Sequence, residues 1–157
     1  MTIREGIKAD LPQVLKLIKE LAAYEKAADQ VDNTVEMMVQ DGFGDNPIFG
    51  FYVAVNDKDK IVGTSIYYYR YSTWKGKRLY LEDIVVTESE RGSGIGKLLF
   101  DQTIKKGVEE NCSGMVWQVL DWNEQAINFY KKYYSAHLDG EWINCSISIE
   151  QMRAIVS

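Results

Sequence analysis

Cysteine, histidine and proline are scarce in this chain of 157 residues, at two, one and two copies. Cys112 and Cys145 lie far apart, with no C-x-x-C pair and no zinc spacing. That leaves neither a disulfide framework nor a metal knuckle and points to two reduced thiols in a cytoplasmic protein. His137 alone cannot build a multi-histidine centre, and no G-x-S-x-G elbow accompanies it for a serine triad. No metal is expected. Nothing approaches a run of about 18 apolar residues, and Met1-Thr2-Ile3-Arg4-Glu5 has no apolar leader character. No membrane partner is therefore expected. Bases are outnumbered, 18 Lys and Arg against 23 Asp and Glu, for a net charge of −5. This argues against a dedicated nucleic-acid partner. The low proline count and 46% hydrophobic content exclude a disordered or collagen-like chain.

The length fits one domain over residues 1–157 and is large enough to close a core without staples. Ten tyrosines and four tryptophans offer amphipathic rings for a pocket. Leu11, Val14, Leu15, Ile18, Leu21 and Ala22 recur at helical spacing, with Asp10 as the expected N-cap and Pro12 in the first turn. Thr34 begins a second, shorter helix. Phe51–Val55 and Ile61–Tyr71 read as a hairpin and Leu79–Thr87 as a third strand. A helix over Gly92–Glu110, a strand over Met115–Leu120, a helix over Asn123–Tyr134 and a last strand over Ile143–Ile149 complete the pattern. Hairpins followed by β-α-β units predict an α/β (α+β) fold, a mixed central sheet flanked by helices.

The strongest local motif is Arg91-Gly92-Ser93-Gly94-Ile95-Gly96-Lys97, between a strand and a helix. Closely spaced glycines let backbone N–H groups approach a phosphate, and a helix N-terminus adds unbonded donors and a positive dipole end. A dinucleotide fingerprint counted from Gly92 requires Gly or Ala where Lys97 stands. A P-loop ending at Gly96-Lys97 requires Gly where Arg91 stands and Ser or Thr where Leu98 stands. What survives is R-x-x-G-x-G on Arg91, Gly94 and Gly96.

That motif resembles the pyrophosphate loop of the GNAT family of acetyl-CoA-dependent N-acetyltransferases. Further blocks are similar to the diamine acetyltransferases of that family, the spermidine/spermine N1- and thialysine-acetylating enzymes. They are Leu21-Ala22-Ala23-Tyr24-Glu25, Asp41-Gly42-Phe43-Gly44, Trp74-Lys75-Gly76-Lys77, Leu79-Tyr80-Leu81-Glu82-Asp83 and Trp122-Asn123-Glu124 with Asn128-Phe129-Tyr130-Lys131. One departure is that the family's glycine after the last block is absent, since Tyr133-Tyr134-Ser135 stands there.

The resemblance implies a GNAT fold, acetyl-CoA as co-substrate and a small-molecule amine as acceptor, either a polyamine or thialysine. It implies that Gly92, Ser93, Gly94, Ile95, Gly96 and Lys97, with Arg91, hold the pyrophosphate. Ile84-Val85-Val86 would pair their backbone with the pantetheine arm, a β-augmentation by the cofactor, and Asn123 would bond the same arm. Tyr24, Glu25, Glu82 and Trp122 would meet the amine, and the family's homodimers would be expected here too.

Acetyl transfer also needs a neutral amine. An alkyl ammonium has a pKa of about 10.4, so only about one molecule in 10³ is nucleophilic near neutrality. Glu82 interrupts an apolar strand, and the resemblance, which selects it over Asp83, makes it the expected base, with a role as substrate anchor left open. Strand alternation predicts that Asp83 points to the opposite face. Tyr130 is placed by the resemblance as the acid that protonates the leaving thiolate, with aromatic core packing as its other reading. No cysteine matches a nucleophile position, so direct attack in a ternary complex is expected. A non-catalytic acetyl-CoA or polyamine sensor on the same fold is the reading from another class.

Overall fold

The computed structural model describes all 157 residues, Met1–Ser157. They form two compact units, Met1–Gln118 and Val119–Ser157. The first runs β1 (Thr2–Glu5), α1 (Leu11–Tyr24), α2 (Val35–Phe43), β2 (Gly50–Val55), β3 (Ile61–Ser72), β4 (Gly76–Val86), α3 (Ile95–Glu109) and β5 (Met115–Trp117). The strands form one sheet in the order β1-β2-β3-β4-β5. The first three pairings are antiparallel, and β4 pairs with β5 in parallel through the α3 crossover. The sheet is mixed, as the order of elements predicted.

Strand alternation divides the core. Phe51, Val53, Val55, Ile66 and Val85 face Leu11, Val14, Leu15 and Leu17 of α1 and Met38 of α2. Tyr52, Ala54, Val62, Tyr67 and Leu79 face Ile95 and Leu99 of α3. α3 approaches closely at Gly63, where an added Cβ would lie 3.0 Å from Leu99 Cδ1 and 3.1 Å from the Val85 carbonyl oxygen. The polar groups buried under α3 are satisfied: Ser65 Oγ and Thr103 Oγ1 are 2.9 Å apart, and Thr103 donates to the Leu99 carbonyl.

Two local readings are corrected. Asp10 makes no cap bond to α1. Its buried carboxylate instead accepts from the Ile7 N–H at 2.8 Å and from both arms of Arg4 at 2.7 and 3.0 Å. The Arg4 bond holds this carboxyl below the usual range, so Asp10 ties β1 to the start of α1. The strand β1 itself was not anticipated; four residues whose burial does not alternate are too short to stand out from the loop that follows.

The second unit holds α4 (Glu124–Tyr134) and α5 (Ile149–Val156). Asn123 caps α4 by accepting from the Ala126 N–H at 3.2 Å, as a residue of its type should. α4 closes on Ser135, which takes the left-handed conformation at φ 50°. The expected strand Ile143–Ile149 is not formed. Residues 136–148 are irregular, and Ile149 opens α5. Its alternating isoleucines pair with no strand, whereas Ser148 and Gln151 close a capping box: Gln151 N–H donates to Ser148 Oγ at 3.1 Å and Ser148 N–H to Gln151 Oε1 at 2.8 Å. No helix is long and apolar enough to cross a membrane.

Candidate active site

The glycine loop begins where β4 ends. Gly92 and Gly94 take φ 82° and 85°, a region that L side chains rarely adopt, and a Cβ built on either would meet nothing within 4 Å. The glycines are therefore required by backbone conformation, and the space before them is open. Gly94 is the N-cap of α3, so the first-turn N–H groups of that helix, which no intrahelical carbonyl reaches, open on the same loop. Ile95 is 3% exposed and packs in the α3 core, so only its backbone can serve a ligand. The Ser93 hydroxyl donates to the Glu90 carbonyl, and Lys97 pairs with Asp101 at 2.7 Å.

Arg91 turns back onto the protein. Its Nε donates to the Val86 carbonyl at 3.0 Å, and its guanidinium lies 5.3 Å from the centroid of the Tyr24 ring. Ile84 and Val86 pack toward α3 and Val85 toward α1. The β4–β5 ladder covers only Leu79, Tyr80 and Leu81. From Glu82 to Val86 the β5-side edge of β4 pairs with no strand.

The acidic residues converge through an irregularity. Tyr67 of β3 pairs with Leu81, but Ile66 pairs with Asp83, so Glu82 is an extra residue in β4. Before the bulge, Tyr80 shares a face with Tyr68, with ring centroids 5.2 Å apart. After it, Asp83 lies opposite Ile66 and two residues from Val85, both in the α1-side core. The Tyr68 hydroxyl donates to Glu82 Oε2 at 3.0 Å. Glu82 and Asp83 thus both lie on the α1 face, which corrects the expectation that alternation separates them. Desolvation, with the charges of Glu82 and Glu25 behind it, pushes the half-buried Asp83 carboxyl up to about 6.

Glu25 reaches this region because α1 stops sharply. Lys26 takes φ 62°, the Lys26 N–H donates to the Ala23 carbonyl and the Ala27 N–H to that of Ala22. This is a Schellman closure with a non-glycine residue in the left-handed position. It sets Tyr24 on the last turn and Glu25 just past it. Desolvation raises the Glu25 carboxyl as well. The three carboxylates do not form a metal-binding group.

Within the second unit, Tyr130 lies on α4 and is 7% exposed, its ring 5.5 Å from that of Phe129. Trp122 is exposed just before the Asn123 cap. Tyr68 and the shared face of Asp83 were not found in the sequence. The sequence carried no signal for either, because a bulge is defined only against its partner strand.

A family model described as Acetyltransferase (GNAT) family matches residues 14–134. The thialysine N-epsilon-acetyltransferase of Bos taurus is 40% identical over 136 residues, covering 82% of this chain and 80% of its own length. Spermidine/spermine N(1)-acetyltransferase-like protein 1 of Homo sapiens is 39% identical over 145 residues, covering 88% of this chain and 21% of that longer protein. Among solved structures, an aminoglycoside acetyltransferase from an uncultured soil metagenomic sample superposes with a TM-score of 0.77 at 21% identity, covering 94% of this chain and 96% of its own. That likeness is one of fold.

Proposed function

The chain belongs to the acetyltransferase (GNAT) family and is an N-acetyltransferase, and from that premise we propose that it moves an acetyl group from acetyl-CoA to a primary amine of a polyamine or diamine. The observation that carries the substrate class is the bulge at Glu82, which sets Glu82 and Asp83 on one face within electrostatic reach of Glu25. Carboxylates contributed by a strand and by a helix end suit a ligand with two separated ammonium groups.

The loop fits acetyl-CoA, because the left-handed glycines open onto free space beside the first turn of α3. The backbones of Gly92, Ser93, Gly94, Ile95, Gly96 and Lys97 hold the pyrophosphate. The unpaired edge of Ile84, Val85 and Val86 and the side chain of Asn123 receive the pantetheine arm. Acetyl-CoA supplies the acetyl group as a thioester. Glu82, with Asp83 beside it, takes the proton of the substrate ammonium, directly or through water. Tyr24, Glu25 and Trp122 orient the amine, and Tyr130 gives a proton to the sulfur as the C–S bond breaks and the C–N bond forms; the second proton that the nitrogen sheds on becoming an amide returns through solvent to restore the phenol. The amine attacks directly, since Cys112 and Cys145 lie outside these segments.

The family match crosses Gln118, which supports a single catalytic domain over residues 1–157. A homodimer is part of the proposal: Trp142 and Ile143 are 75% and 87% exposed on a stretch without strand partners. So is a cytoplasmic home, consistent with two free thiols. A monomeric mass by light scattering rejects the dimer.

Thialysine is the second reading, favoured by relatives of that name at 36–40% identity. A thiol-release assay with acetyl-CoA and spermidine, spermine, a short diamine, thialysine and a monoamine decides. Turnover favouring extended diamines supports the proposal. Preference for thialysine over every polyamine moves the function to the second reading, and equal use of a monoamine removes the carboxylates of Glu25, Glu82 and Asp83 as its selector. Acetyl-CoA binding without thiol release on any amine leaves a sensor.

A further inference from the structure

Glu20 lies one turn before the end of α1, yet its contacts are with the segment that leaves β4. Both carboxylate oxygens accept from the Thr87 hydroxyl, at 3.2 and 3.1 Å, and Oε1 also accepts from the Glu88 N–H at 2.8 Å. Arg91 Nη2 is 3.9 Å from Oε1. The same guanidinium donates through Nε to the Val86 carbonyl and lies over the Tyr24 ring. A half-buried carboxylate of α1 thus gathers a hydroxyl, a backbone N–H and a guanidinium from five successive residues, 87–91, immediately before the glycine loop.

That stretch has few other anchors. The Thr87 N–H donates to the Val62 carbonyl at 2.9 Å, and residues 88–90 make a single 3-10 turn closed by the Glu90 N–H on the Thr87 carbonyl and the Arg91 N–H on the Glu88 carbonyl. Past Arg91 come two glycines in left-handed conformations, which add freedom rather than restraint. Charge-assisted bonds of the kind Glu20 makes are the stronger class of hydrogen bond. The direction in which the chain leaves β4, and with it the aim of the N–H groups from Gly92 to Gly96, depends on what holds residues 87–91.

We infer that Glu20 is a positioning residue for the acetyl-CoA loop: through Thr87, Glu88 and Arg91 it sets the approach of the glycines and so the affinity for the co-substrate. It touches no reacting atom. The inference rests on the acetyl-CoA reading of the loop. It also assigns Arg91 a bracing role, because its Nε is directed at Val86 and its outer nitrogen at Glu20.

The test is calorimetric titration of the full chain with acetyl-CoA, alongside thermal melts. Wild type, Glu20→Ala, Glu20→Gln, Thr87→Val and the double variant Glu20→Ala/Thr87→Val are compared, with Gly94→Val as a loop control. Glu20→Ala is expected to weaken acetyl-CoA binding roughly tenfold, the scale of one lost hydrogen bond to a charged group. Glu20→Gln keeps an acceptor oxygen for the Glu88 N–H and recovers most of the affinity. Thr87→Val loses about threefold, and the double variant binds no more weakly than Glu20→Ala alone, because the two residues share one contact. A lowered Tm in Glu20→Ala with a wild-type Kd overturns the inference and leaves a structural brace. Should Glu20→Ala fail to fold, wild-type affinity in Thr87→Val overturns it equally. Wild type that binds no acetyl-CoA rejects the reading of the loop and the inference with it, whereas wild type that binds while every Glu20 and Thr87 variant binds as tightly rejects the inference alone.

Discussion

The Tyr68 hydroxyl donates to Glu82 Oε2 at 3.0 Å beside the one bulge in the β3–β4 ladder. Desolvation, then this bond, pushes the Tyr68 phenol up to about 12, so it remains a donor at any working pH. It fixes the carboxylate that the proposal uses as base. Tyr68→Phe leaves the tilted ring contact with Tyr80 and releases Glu82. We expect kcat to fall about tenfold, against roughly 10²-fold for Glu82→Gln, which removes the proton acceptor itself. In the Glu82→Gln background Tyr68→Phe should add little, since both act through one bond. Additive losses in steady-state kinetics would show that Tyr68 acts elsewhere.

Asp83 supplies a stability test whose sign differs from that of an ion-paired carboxylate. Its folded pKa of about 6 lies above the ordinary carboxylate value. Between about pH 4 and 6 the folded chain therefore binds more protons than the unfolded chain, and stability falls as pH rises through that window. Above it the charged group carries a cost of about 3 kcal/mol. Asp83→Asn should raise Tm by several degrees at pH 7.5 and by almost nothing near about pH 3, where the wild-type group is largely protonated in both states. An equal gain at both pH values would point to repacking rather than charge.

How far these features could be read beforehand depended on the range of the interaction that made them. The hairpin and the helices of the first unit announced themselves through side-chain periods of two and 3.6, and Thr34 and Asn123 cap as their residue types require. The glycine loop was legible because no other residue tolerates φ 82° and 85° in sequence with such ease. The shared face of Glu82 and Asp83 was not, because an inserted residue is defined only against its partner strand. Glu20 was hidden for a like reason: its partner Thr87 is 67 residues away. At the C-terminus the alternating isoleucines outweighed a capping box that lay in plain view at Ser148 and Gln151.

Ser135 occupies the place where the resembling family has a glycine nearby, and it carries the conformation that glycine would hold freely. At φ 50° it ends α4, with its N–H donating to the Lys131 carbonyl at 3.2 Å. A non-glycine residue there costs about 1 kcal/mol or slightly more, partly offset by the greater unfolded-state entropy of glycine. Ser135→Gly should therefore stabilise by roughly 0.5 kcal/mol, read as a small rise in the denaturant midpoint with unchanged slope. A loss of stability would mean that the Ser135 side chain has a favourable contact stronger than the strain.

Tyr130 tests the acid role against the packing role on a single atom. The residue is 7% exposed, so its ring belongs to a packed environment whatever its chemistry. Tyr130→Phe keeps that ring, and the edge-on contact with Phe129, while deleting one hydroxyl. If the phenol protonates the leaving sulfur, kcat should drop roughly 10²-fold, the usual scale for a lost proton-transfer group. Acetyl-CoA affinity by calorimetry and the KM for the amine should stay within about twofold, because neither ground-state contact depends on that proton. Near-normal turnover would exclude the acid role. A large fall in Tm with turnover preserved per folded molecule would assign the hydroxyl to structure instead.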